Sequence, residues 1–363
     1  MHESRMTQRL KQGFGLIDGM RGIAAIAVAS LHWQAFSQPW LFAASGGLAV
    51  DLFFLLSGIV IAHAYDDRIA SGELNTARFM LTRIIRFWPL YALGTLLGAA
   101  GAVAAMATGR SSYYHSYSEL AAVVGLTFLF IPQRYGALFQ LNTPFWSLLW
   151  ELVANFAFVL FWRQLSVKVL SVIVALGALS VIATGLVYGH LPAGSLWATA
   201  LAGPARVTFS FFMGVIIYRT VPRGPSRSTW IGPACAAALV VLFAIHSDAW
   251  QPFYDLACVL VVFPAAGVLV MRVDVSGPTV PAFKALGDAS YGVYVLHLPM
   301  LIFVSWAASH AGLGGPPVFL VSCVALVCGV LALDRWFDRP VRKWMSARIG
   351  LRARRTAPDP EPF

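Results

Sequence analysis

Residues 168–189 read KVLSVIVALGALSVIATGLVYG, with one lysine at the edge and no other charge. A helix needs roughly 20 apolar residues to cross the hydrocarbon core of a bilayer, and this stretch has that length. Others follow the same pattern near 17–36, 46–65, 87–107, 119–132, 145–162, 200–218, 230–246, 253–271, 289–309 and 317–334. The chain of 363 residues is 58% hydrophobic and 12% charged, with a mean hydropathy of +0.71. An average soluble domain is about 25% charged, so this chain has too little polar surface to cover a globule in water. The sequence therefore predicts an all-α polytopic integral membrane bundle, and its first partner is the lipid bilayer.

The net charge of +10 does not point to nucleic acid, because the basic residues sit in short segments between apolar stretches, which is a topology signal. Arg5, Arg9 and Lys11 precede the first stretch, and no small-residue cleavage site follows it, so it reads as an uncleaved span. The segment 37–45 has no Lys or Arg, whereas 66–86 carries Arg68, Arg78, Arg83 and Arg86. Arg163 with Lys168, then Arg219, Arg223 and Arg227, then Arg272 with Lys284, and last Arg335, Arg339, Arg342 and Lys343 mark further cytoplasmic segments. Both termini are thereby expected in the cytoplasm.

Crossing by every apolar stretch would put the termini on opposite sides. The shortest, 119–132, ends at Pro132 and suits a re-entrant or interfacial segment. The expectation is about ten transmembrane helices plus this one short segment, with 108–144 as an outer-face excursion. Residues 1–345 form the membrane domain. Residues 346–363, ending RRTAPDPEPF, are basic and then Pro-rich, and are expected to be disordered. The four cysteines all lie in apolar stretches without metal-ligand spacing and read as small buried side chains. No metal site is expected.

Ionisable residues inside the apolar stretches are functional candidates, because a charge at the bilayer centre costs about 2.5–3.5 kcal/mol. Arg21 and His32 are separated by close to three helical turns, so they share one face and differ in depth by roughly 16 Å. Counted along their helices, His32, Asp51 and Glu151 fall at similar depth in the outer half. They read as a general-base cluster, with a carboxylate orienting the imidazole, or as polar groups near the interface. Arg21, Arg83 and Arg86 lie at the inner level. They read as a grip on phosphates, or as plain positive-inside topology. His297, eight residues into its stretch and preceded by Tyr291 and Tyr294, reads as functional or as a packed, hydrogen-bonded group. Arg206 and Asp255, near outer helix ends, are expected to face headgroups or water, and His63 to be interfacial. Gly46-Gly47 and Ser57-Gly58 are expected to let helices approach closely.

Six strings occur in a known order: RGIAAIAVASLH at 21–32, VDLFFLLSG at 50–58, RIIRFWPLY at 83–91, FWSLLWE at 145–151, SYGVYVLHLP at 290–299 and DRWFDRPVRKW at 334–344. Together they resemble the membrane acyltransferase-3 family, over about residues 16–345. That family O-acetylates bacterial surface polysaccharides, peptidoglycan and lipid-linked glycans from the inner membrane. The resemblance implies that His32 is catalytic, with Asp51 and Glu151 beside it, and that Arg21, Arg83 and Arg86 hold the donor. It implies that Trp146, Ser147, Tyr291, Tyr294 and His297 contact substrate. Asp338 stands where Glu is expected before Arg-Pro, which keeps the charge. Some relatives append a soluble esterase-like domain, which is not expected here. The implied donor is a cytoplasmic acyl-CoA, with acetyl-CoA favoured, and no cofactor is bound permanently. The implied acceptor is an envelope polysaccharide or lipid-linked sugar. The rival reading is a transporter or flippase exporting a glycan or lipid, since intramembrane histidines and carboxylates also serve proton relays.

Overall fold

The computed structural model describes residues 14–33, 43–109, 113–224, 226–313 and 315–350. The basic head before Phe14, most of the segment 37–45 and the tail beyond Gly350 lie outside the described residues. The helices are α1 (Gly15–Trp33), α2 (Ala49–Ala70), α3 (Thr76–Ala107), α4 (Tyr117–Phe128), α5 (Phe145–Leu160), α6 (Val167–Tyr188) and α7 (Ala202–Thr220). They continue with α8 (Ile231–Ala244), α9 (Gln251–Ala257), α10 (Phe263–Arg272), α11 (Val280–His310), α12 (Gly315–Leu333) and α13 (Arg339–Arg348). Each predicted apolar stretch became a helix, and the architecture is the all-α membrane bundle expected. Among the described residues, six helical segments are long and apolar enough to cross a membrane: 46–70, 76–107, 167–188, 251–272, 277–308 and 317–348. The helices α1 and α7, of 19 residues each, and the shorter α5 and α8 complete the bundle.

Local sequence sets the ends. Asn75 caps α3 by accepting from the Arg78 amide at 2.9 Å, and Ser116 caps α4 by accepting from that of Glu119 at 3.1 Å. Prolines shape the interiors. Pro264 and Pro340 have no N–H to give the helix, and a single π-turn lies just before each, at Cys258–Val262 and Asp334–Asp338. Pro299 inside α11 leaves the Val295 carbonyl without its helical donor. The Asn142 side chain supplies one at 2.7 Å, which ties the 108–144 segment to α11.

The most extensively packed pairs are α1 with α11, α2 with α7, and α6 with α7. Glycines permit the first two. A Cβ on Gly22 would collide with Leu286, and Cβ atoms on Gly58 and Gly214 would collide with the Phe211 and Leu55 carbonyls respectively. One on Gly46 would meet the Ala27 carbonyl at 2.5 Å, so Gly46-Gly47 and Ser57-Gly58 both have the packing role expected of them. Residue numbers rise together along α1 and α11 (Gly22 beside Leu286, His32 beside His297) and along α2 and α7 (Asp51 beside Arg206, Asp66 beside Arg219). Both pairs are thus parallel. Parallel pairs require α4 not to cross, and its 12 residues span only roughly 18 Å. After α4 the chain turns back through Phe130, whose φ of 58° is left-handed. The Phe130 ring stacks on Tyr91 at 4.0 Å, with Phe145 on the opposite side at 4.1 Å.

The connections sort into two ends. At the basic end, Ser226–Ser228 and Val273–Val275 form a short parallel strand pair, β1–β2, and the Leu16 amide donates to Asp274 at 2.9 Å. At the other end, Ser45 Oγ donates to the Ile245 carbonyl at 2.6 Å, and the Leu138 amide to the Ser195 carbonyl at 2.9 Å.

Candidate active site

A cavity of about 720 Å³, counting its open mouth, lies between α1, α2, α3, α5 and α11. Along α2 its wall runs from Val50 to Ile61, roughly 16 Å at helical rise. Arg21, Arg83 and Arg86 all line it, with Glu151 as the one carboxylate among its lining residues. Three guanidinium groups against one carboxylate make a receptor for anions, and their planar forks match phosphate oxygens. Glu151 accepts a hydrogen bond from Ser57 Oγ at 2.6 Å and lies 3.5 Å from Arg83. Arg21 is within electrostatic range of Asp18, Glu151 and Arg83.

Arg86 is held from the basic end. Asp338 lies 3.7 Å from it, and its guanidinium sits over the Tyr291 ring at 5.1 Å. Asp338 also pairs with Arg342 at 2.7 Å, while Asp334 bonds Arg339 at 2.5 Å. The DRWFDRPVRK string is therefore an ionic clasp at the cavity's inner end, a role the sequence reading did not assign. Its π-turn presents Asp334 and Asp338 inward, where they are 7% and 1% exposed.

Tyr291 and Tyr294 line the wall one helical turn apart. Tyr291 donates to the Phe87 carbonyl at 2.5 Å. The Tyr294 hydroxyl meets Ser147 Oγ at 2.5 Å and the Pro144 carbonyl at 3.0 Å. One further turn along α11 stands His297, its Nε2 3.2 Å from His32 Nδ1. His32 and His297 form an imidazole pair with ring centroids 5.0 Å apart.

Several sequence expectations are corrected by this geometry. Asp51 does not orient His32. It is fully buried against Arg206, whose Nε is 3.1 Å from each carboxylate oxygen and whose Nη2 is 2.6 Å from Oδ2. Arg206 spends its other donors on the Ala193 and Gly47 carbonyls, at 2.8 and 3.0 Å. It is 1% exposed and faces neither headgroups nor water, because the 189–201 segment folds over it. Asp255 is likewise buried, accepting from the Leu191 amide at 2.9 Å and Gln251 at 2.7 Å. Trp146 lies over Arg206 at 5.1 Å and is not among the cavity's lining residues. Glu151 does not share the depth of Asp51. It bonds Ser57, six residues further along α2, or roughly 9 Å, and so joins the arginine level. His63 is not a free interfacial group, since Arg223 lies 3.2 Å from its Nε2 and Phe14 packs edge-on to its ring. Among the described residues, no group of three or more His, Cys, Asp or Glu side chains could hold a metal ion.

The bundle thus sets an arginine-lined cavity, bounded by Tyr294, next to a histidine pair that does not itself line the cavity: the Tyr294 and His297 ring centroids are 6.1 Å apart. Residues 14–335 match the family described as acyltransferase domain, and the chain belongs to that family. It is an acyltransferase. The chain is 25% identical to the acyltransferase MdmB of Streptomyces mycarofaciens, over 95% of each chain. It is 27% identical to the exopolysaccharide production protein ExoZ of Rhizobium meliloti, over 84% of this chain and 92% of that one. It is 25% identical to the peptidoglycan O-acetyltransferase OatA of Listeria monocytogenes, over 82% of this chain and 51% of that one. No solved structure matches the chain.

Proposed function

We propose that this acyltransferase moves an acetyl group from acetyl-CoA, entering at the basic, cytoplasmic end, onto a hydroxyl of an envelope polysaccharide or lipid-linked sugar. The observation that carries the reading is one cavity lined by Arg21, Arg83 and Arg86 and bounded by Tyr294, whose ring lies 6.1 Å from that of His297 in the His32–His297 pair. The arginines hold the phosphates of the donor, and the thioester extends toward the histidines. His32 takes the proton from the acceptor hydroxyl. The hydroxyl oxygen forms a bond to the thioester carbonyl carbon, the carbon–sulfur bond breaks, and the thiolate leaves with the proton carried by His32. The products are an ester and the free thiol, so nothing is oxidised or reduced. Relatives named for peptidoglycan O-acetylation and exopolysaccharide production support the acceptor class.

His32 follows Arg21 by roughly 16 Å on one helix face, so donor phosphates and reacting carbonyl are held at two depths. The acceptor then reaches the site from the opposite end. Reconstitution in sealed vesicles of one orientation tests this: acetyl-CoA goes on the side of the basic end, a glycan acceptor on the other. Ester formation across the membrane is expected, and His32→Ala should abolish it in protein that still inserts. Transfer only with both substrates on the basic side would refute the cross-membrane reading, and full activity in His32→Ala would remove His32 from the mechanism.

A further inference from the structure

The carboxylate expected beside His32 is absent from its hydrogen bonds, and another imidazole stands there. His297 Nδ1 lies 3.1 Å from the Val293 carbonyl. A carbonyl oxygen only accepts, so this nitrogen carries the proton. A neutral imidazole then has a bare Nε2, and that nitrogen faces His32 Nδ1 at 3.2 Å. His32 Nδ1 also lies 2.9 Å from the Val28 carbonyl. Both neighbours of His32 Nδ1 are acceptors, so it must be the protonated nitrogen. His32 Nε2 is left bare. The assignment is forced by two i−4 carbonyls and one shared contact, and any other neutral arrangement sets two acceptors or two donors against each other. His297 is fully buried and bonded through both ring nitrogens, so its ring is fixed.

We infer that His297 is the positioning partner of His32, holding it together with the Val28 carbonyl in the Nδ1–H form so that Nε2 takes the acceptor's proton, and sharing the positive charge that results. This rests on the acyltransfer reading given above. When Nε2 of His32 gains a proton, the ring becomes a cation whose one Nδ1–H is shared between the Val28 carbonyl at 2.9 Å and His297 Nε2 at 3.2 Å, and a charge-assisted hydrogen bond is roughly twice as strong as a neutral one. The bond thus strengthens as the reaction proceeds, which accelerates the chemical step without tightening substrate binding. His297 does the work that a carboxylate does in a serine hydrolase triad, but as a neutral acceptor that adds no buried negative charge.

The test has two arms. In protein labelled with 13C and 15N at histidine, NMR in lipid assigns the His32 signals by difference from His32→Asn. His32 is expected protonated at Nδ1 and bare at Nε2. A proton on Nε2 overturns the inference whatever the kinetics give. In the second arm, His297→Leu should lower kcat by about 100-fold, within the range for a disturbed general base, with the donor KM changed less than about threefold. His297→Gln, which keeps an acceptor, should recover at least about tenfold over the leucine variant. If the leucine variant does not purify as folded protein, His297→Phe replaces it. Equal kcat in the acceptor and apolar variants, or an effect confined to KM, overturns the positioning role. Should wild-type protein show no acyl transfer, the functional reading fails and the NMR arm still decides the tautomer.

Discussion

Asp51 and Arg206 form a two-oxygen ion pair with three N–O distances of 2.6–3.1 Å, sealed between α2 and α7 at 0% and 1% exposure. Removing one partner of such a pair leaves a buried charge alone, at a cost of about 3–5 kcal/mol. Asp51→Ala and Arg206→Ala should each sharply lower the yield of monodisperse protein in detergent. Joint replacement, Asp51→Leu with Arg206→Met, should recover part of that yield because neither charge remains. His32→Ala, which removes neither charge of the pair, should purify normally. Size-exclusion profiles of the four proteins make the comparison. A well-folded, inactive Asp51→Ala would return Asp51 to the chemistry.

The inner arginines are accessible to a different measurement. A lost hydrogen bond to a charged group costs about 1.5–3 kcal/mol, or about 10- to 150-fold in affinity. Arg83→Ala and Arg86→Ala should weaken acetyl-CoA binding by that factor, measured by calorimetry on nanodisc-embedded protein. Arg86→Lys should restore little, since an ammonium lacks the planar fork that meets phosphate and stacks on Tyr291. Unchanged donor affinity would leave these residues a purely topological role.

The parallel crossing of α2 and α7 rests on two glycines in register. A methyl on Gly58 meets the Phe211 carbonyl and the Gly214 Cα, and one on Gly214 meets the Leu55 carbonyl, the Ile59 nitrogen and the Gly58 Cα, all of them backbone. Backbone cannot swing aside as a side chain can. Gly58→Ala and Gly214→Ala should each separate the helices, loosen the Asp51–Arg206 pair at their outer ends, and lower the thermal midpoint. Gly101→Ala, with nothing within 4 Å of the added carbon, should be neutral or slightly stabilising, and serves as the control.

The sequence showed the helices well and the site partly, for physical reasons. Membrane helices are legible because apolar length is what the bilayer selects, and α4 was readable as non-crossing from its length and Pro132. The strand pair was not, because SRS and VDV are too short to show an alternation. Depth along a helix can be counted, but rotation about its axis cannot. That is why Asp51 was placed with His32 when its carboxylate turns toward α7. Arg206 looked exposed because it is near a helix start in chain distance, whereas burial depends on the loop folded over it. The Arg21, Arg83 and Arg86 level needed only topology, and the structure brings all three to one cavity. His297 was visible as an intramembrane histidine. Its contact with His32 joins helices 265 residues apart in sequence and had no local signal. The ionic clasp around Asp338 was hinted at by the dense charge of DRWFDRPVRK.

The parity of the bundle yields the last expectation. α1 with α11 and α2 with α7 are parallel, so the chain between each pair makes a number of crossings that returns it to the same direction. That holds if α4 stays on one side, and 108–144 then opens on the face opposite to β1–β2. The arginine-rich connections all gather at the β1–β2 end, which the positive-inside rule assigns to the cytoplasm. In a background with Cys235, Cys258, Cys323 and Cys328 replaced, single cysteines at Ser118 and Ser226, both exposed, report on the two faces. An impermeant maleimide added to intact cells should label Ser118→Cys at once and Ser226→Cys only after the membrane is opened. The reverse pattern would invert the molecule and put the arginine level on the outside, so that a cytoplasmic acyl-CoA could not reach it. Labelling of both in intact cells would mean that α4 crosses, which the parallel pairing of α1 with α11 forbids in this fold.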